Sequence, residues 1–159
     1  MGTIDPSTLD PGQLAAMLAA WAEGYHPGEA AVGLLARGAG GFWLRRRDFL
    51  AACIEAVDDG WSCGAVLPLA AVDWEAVETF LADGVVASSG ELSVLRVAAS
   101  LAGAQVGSLR EVTASLDVDN LGHVLDAIAH RAGWHERGAC RTVTGRQTTT
   151  TRGVGRGER

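Results

Sequence analysis

The sequence contains no lysine, three cysteines and a single tyrosine among 159 residues. All thirteen basic residues are arginine, a pattern that reflects high-GC coding bias rather than a function. The cysteines, Cys53, Cys63 and Cys140, are odd in number and form no CxxC pair. A disulfide framework and a thiolate zinc site are therefore both poor fits, and Cys53 reads as a small core residue. No apolar run reaches the roughly 18 residues of a membrane-spanning helix. The segment Met1 to Asp10 has two acids, no basic residue and no apolar centre. That excludes an ordinary secretory signal, and the expected location is cytoplasmic. There is no GxSxG nucleophile turn, no phosphate-binding loop ending in GK[ST], and no repeated Glu-x-x-His. No repeat of solenoid period is visible.

What is present points to a helical domain. A chain of this length defaults to one domain, and 48% apolar residues suffice for a core. Alanine and leucine outweigh isoleucine, threonine and tyrosine, which favours helix over sheet. The net charge of −6 hides an asymmetry. Residues 1–130 carry six arginines against seventeen acids, and residues 131–159 carry seven against two. An acidic body with a basic tail bears on partners rather than on fold.

Helix signals recur along the chain. Asp10-Pro11 opens a first helix whose inward face is Leu14, Met17, Leu18 and Trp21. Pro27 restarts the chain, Ala31, Leu34 and Leu35 form a stripe, and Gly38, Gly40 and Gly41 end it. Gly-Ala-Gly-Gly follows no strand signal and lacks the lysine of a phosphate-binding loop. Phe42-Trp43-Leu44 precedes a helix expected to run to about Asp59, burying Phe49, Cys53, Ile54 and Val57, with Gly60 as its stop. Residues 61–72 read as an apolar connection, because Pro68 limits any strand at Val66-Leu67. Asp73 caps a helix carrying Trp74, Val77 and Leu81. Ser88-x-x-Glu91 and Ser108-x-x-Glu111 are capping boxes. Asp117 or Asp119 starts a last helix with Leu121, Val124, Leu125, Ile128 and Ala132 inward and Gly133 as its stop. The expected architecture is thus all-α: one orthogonal bundle of six or seven short helices over residues 10–135. It is preceded by a flexible N-terminus, residues 1–9, and followed by an Arg/Thr/Gly-rich tail, residues 136–159. The tail has too little apolar surface to offset its ordering entropy and is expected to be disordered.

Three groups of residues are candidates for chemistry. Asp119, His123, Asp126 and His130 share one stripe of the last helix, and carboxylate and imidazole one turn apart can share a divalent metal. The simpler reading of that stripe is a solvated polar face. Arg45, Arg46 and Arg47, beside Phe42 and Trp43, can contact phosphate or an acidic partner. Successive helical residues point about 100° apart, however, so they form no single patch. The turn before the last helix suggests a helix-turn-helix, but Asp117, Asp119 and Asp126 on that helix oppose DNA readout. Nucleophilic catalysis has no foothold: Ser88, Ser89 and Ser93 are explained by capping or surface placement, Cys53 lies on an apolar face, and Asp58-Asp59 reads as a solvated helix end. No catalytic residue, resident metal or cofactor is implied.

Several stretches together resemble a known family. These are Ala30-Ala31-Val32-Gly33-Leu34-Leu35, Phe42 through Phe49, Ser88-Ser89-Gly90-Glu91, Leu95 through Leu101, Val118-Asp119-Asn120-Leu121 and Ala127-Ile128-Ala129-His130. Over about residues 25–133 the chain is similar to a family of small, uncharacterised actinobacterial helical proteins of unknown function. The resemblance implies one domain ending near Gly133 and carries over no activity, cofactor or catalytic residue. The expected function is that of a non-enzymatic cytoplasmic protein-interaction or accessory protein, with another protein as partner and an exposed helical surface as the means. Two alternatives stand beside it: a nucleic-acid-associated regulatory protein using the tail and Arg45–Arg47, and a metal-dependent enzyme using His123, Asp126 and His130.

Overall fold

Ser88 starts the helix around which the rest packs. Its hydroxyl accepts from the Glu91 amide at 3.3 Å, and the Glu91 carboxylate accepts from the Ser88 amide at 2.7 Å. In this computed structural model, residues 2–62, 64–105 and 107–134 are described, together with the backbone of residues 143–144 and 147–148. Seven α-helices are present among them: α1 (Pro11–Ala22), α2 (His26–Arg37), α3 (Arg47–Cys53), α4 (Trp74–Ala82), α5 (Ser89–Ala102), α6 (Leu109–Thr113) and α7 (Val118–Arg131). Helix α5 buries Val94, Leu95, Val97, Ala98, Ala99 and Leu101, so apolar surface wraps most of its circumference. Helix α2 lies between α5 and α7, and α1 packs on α2.

The expectation of an all-α fold is overturned. A three-stranded antiparallel sheet accompanies the helices, in the order β1 (Thr3–Ile4), β2 (Ile54–Ser62), β3 (Ala65–Val72). The helix expected to reach Asp59 ends at Cys53, and the apolar connection 61–72 is mostly strand. From Ile54 the inward residues alternate: Ile54 and Ala56 are buried while Glu55 is exposed. The alternation is cut short because the register slips between Val57 and Gly60, which hid the strand from a period-two reading. At this bulge Asp58 and Asp59 stand where β3 offers only Pro68. Pro68 thus sits on an edge strand and opposite a bulge, the two places where a missing N–H costs least. Gly60 is no helix stop. It is buried, and a Cβ there would lie 2.6 Å from Leu69 Cδ1, so the strand pair closes over it. The Asp58-Asp59 pair belongs to this bulge rather than to a helix end, and Asp58 Oδ1 accepts from the Gly2 amide at 2.9 Å.

The core holds a cluster of aromatic rings at its centre. Trp43 is fully buried, donates its indole N–H to the Glu91 carbonyl at 2.9 Å, and meets Phe49 and Phe80 with centroids 5.3 and 6.3 Å away. Buried Trp is stable when its one donor is satisfied. Cys53 is buried beside this region, and burial pushes its thiol pKa up to about 12, which makes it inert. Trp21 departs from the expected inward face of α1: it is 60% exposed, while Leu14, Met17 and Leu18 are buried. Cys63, Cys140 and most of the tail lie outside the described residues. Within the tail only the backbone pairing of β4 (Val143–Thr144) with β5 (Gln147–Thr148) is described.

Candidate functional site on the last helix

Asp117 begins α7 by accepting from the Asn120 amide at 2.7 Å, the N-cap role that a short carboxylate fills. The same carboxylate accepts from Asn120 Nδ2 at 2.9 Å. Asn120 is buried, and its Oδ1 in turn accepts from the backbone amide of Ala39 at 2.6 Å. That bond closes the Gly-Ala-Gly-Gly segment after α2, in which Ala39, Gly40 and Gly41 all have positive φ, of 50°, 61° and 72°. Glycine takes this region freely, but alanine there is strained by about 1–2 kcal/mol. Asp117, Asn120 and Ala39 therefore form one unit that joins α2 to α7.

A groove of about 580 Å³ lies along this junction. Arg37, Ala39 and Gly40 line one side, and Asp119, His123 and Asp126 line the other. Three of the four residues expected to share a stripe thus face one solvent-filled cleft opposite a single guanidinium. The fourth does not. His130 turns to α2, where its Nε2 donates to Glu29 Oε2 at 2.7 Å and its ring meets His26 edge-on at 5.9 Å. The hydrogen bond from His130 holds the Glu29 carboxyl below its ordinary value, helped by the Gly24 amide. Among the described residues no three His, Cys, Asp or Glu side chains gather closely enough to hold a metal ion.

The inward face of α7 also differs from expectation. Its buried residues are Asn120, Val124 and Ala127. Leu121 and Ile128, expected inside, are 40% and 43% exposed, and Val118 is 66% exposed. At 100° per residue the buried line falls between the Asp/His stripe and the apolar stripe, about 100° from each. The helix rests on Asn120, Val124 and Ala127, leaving Val118, Leu121, half-buried Leu125 and Ile128 along one edge.

The three arginines at the entry to α3 serve separate purposes. Arg46 forks onto Asp48 at 2.6 and 2.8 Å, donates to the Val86 carbonyl, and lies 5.6 and 5.5 Å from the centroids of Phe42 and Trp43. The hydrogen bond with Asp48 raises the Arg46 pKa and lowers that of Asp48. Arg45 donates to the Gly41 carbonyl at 3.3 Å. Arg45 and Arg47 are exposed. Ser93, expected at a cap or the surface, is buried and shares a hydrogen bond of 2.6 Å with Ser115 Oγ.

Sequence reading missed the Asn120–Ala39 bond and the Glu29–His130 pair, which link positions 81 and 101 residues apart. The one available signal was an alanine between glycines, since a non-glycine residue in such a turn needs outside support. No family model, curated protein or solved structure matches the chain. No helix among the described residues is long and apolar enough to cross a membrane.

Proposed function

We propose that the protein is a non-enzymatic interaction or accessory protein that binds another protein through the apolar edge of α7. The observation that supports this reading is the exposure of Val118, Leu121 and Ile128 at i, i+3 and i+10, with half-buried Leu125 between them. Helical spacing of apolar anchors is how one helix face engages a partner's groove. The groove beside Asp119, His123 and Asp126 gathers no metal-ligand set among the described residues, and burial keeps the thiol of Cys53 protonated. Of the Arg45–Arg47 cluster, Arg46 is committed to Asp48 and aromatic rings, which leaves only Arg45 and Arg47 exposed for a phosphate. The expected setting is the cytoplasm, where Cys53 stays reduced.

The test is a double substitution, Leu121→Glu with Ile128→Glu. Both side chains are about two-fifths exposed and reach solvent, so the double variant should still fold, with a cooperative melt below that of wild type. Partner capture from native lysate by the tagged full chain should be lost. Sedimentation of the purified chain separates self-association from binding to a different protein. Undiminished capture by the folded double variant would sink the reading.

A further inference from the structure

A second concavity lies away from α7, where the end of α1, the start of α2 and the junction of β3 with α4 meet. It encloses about 200 Å³ and is walled by Trp21, Tyr25 and Trp74, with Leu18, Val32 and Val72 beneath them. Trp21 and Tyr25 are 60% and 59% exposed, an unusual outlay of large aromatic surface in a chain with only nine aromatic residues. The Tyr25 ring lies over Gly28, where a Cβ would come within 2.9 Å of Tyr25 Cδ1, so the missing side chain gives the ring its place.

Among the described residues, the ionisable side chains next to this concavity in sequence are carboxylates, apart from His26 beside Tyr25. Glu23, Asp73 and Glu75 each adjoin a lining residue in sequence and are exposed, and no arginine lines the wall. Aromatic faces attract cations through their quadrupole, and neighbouring carboxylates add to that attraction. No carboxylate lines the wall itself. An ammonium or guanidinium group would therefore gain no hydrogen bond from the wall and would have to shed hydration from the N–H groups that face it. A quaternary ammonium has no N–H to satisfy. The space also fits a small ligand, being about seven times the volume that one water occupies in the liquid.

We propose that the concavity walled by Trp21, Tyr25 and Trp74 binds a small quaternary ammonium compound through cation–π contacts. The site is separate from the α7 edge, so it stands or falls independently of the proposed protein interaction.

The probe is choline chloride, titrated into the full chain at constant ionic strength and followed through tryptophan indole N–H resonances. The control is the neutral tert-butyl analogue of choline, which has the same shape with carbon in place of nitrogen. The Trp21 and Trp74 indoles should shift, while the buried Trp43 should not. Choline should bind roughly tenfold more tightly than the analogue. Trp21→Leu and Tyr25→Leu should each weaken choline about threefold, and because both side chains are largely exposed the variants should fold as wild type does. Equal or tighter binding of the analogue would show a merely apolar groove and overturn the proposal. Absence of choline binding would overturn it too, as would choline affinity unchanged by both substitutions.

Discussion

Helices α5 and α7 are both fourteen residues long, and each is opened by a side-chain cap, Ser88 in one and Asp117 in the other. They differ in what surrounds them. Helix α5 is enclosed on most sides, with Leu95 and Val94 fully buried. Helix α7 rests on a narrow line of Asn120, Val124 and Ala127 and leaves its larger apolar residues at an edge. Apolar spacing declares that a stretch is helical and amphipathic. Which line of the helix meets its neighbour is set by the tertiary fold, here the line of Asn120, Val124 and Ala127.

The difference is best broken by paired truncations. Leu95→Ala removes a side chain with no exposed surface and should destabilise the protein by about 3 kcal/mol. Leu121→Ala on α7 should cost less than about 1 kcal/mol. Urea unfolding of both variants checks this, and equal losses would mean that the edge of α7 is not free. A second change sharpens what α7 does contribute. Asn120→Ala removes the acceptor for the Ala39 amide and should cost about 2 kcal/mol, with amide exchange accelerated at Ala39. A loss as small as that of Leu121→Ala would mean that the α2–α7 junction does not depend on this bond.

The smallest effect is expected at the Glu29–His130 pair. The folded-state pKa of Glu29 lies below its unfolded value. Its contribution is therefore present in full above the ordinary carboxylate range and is lost as the pH falls through the folded value. The side chain keeps a quarter of its surface exposed, so solvent screens the pair. Glu29→Gln should be slightly less stable than wild type at neutral pH, and the gap should close in acid. A gap that widens in acid would reverse the assignment. Melting curves across that range supply the measurement.

Much of the helical framework was legible because its signals are local. Asp10, Asp73, Ser88, Ser108 and Asp117 all cap the helices expected of them, since a cap depends on residues within one turn. The sheet was not legible. Ile54–Ser62 alternates only as far as a bulge, and Pro68 suppresses a strand reading unless its edge position is known. The candidate groove was half legible. The spacing of Asp119, His123 and Asp126 predicted a shared face, but Arg37 and Ala39 arrive opposite them only through the tertiary fold. The removal of His130 from that face follows from Glu29, far away in sequence and invisible to any helical period.

The left-handed turn after α2 carries a consequence for the order in which the chain assembles. Its strained alanine is held by an amide acceptor that is made 81 residues later. Closing so long a loop is entropically slow, so α2 can form early while its exit remains unsettled. A ribosome-bound chain that has emerged only as far as α6 would have its aromatic core residues in hand but no partner for Ala39. Docking of α7 thus both sets the turn and orients the same helix whose apolar edge faces outward.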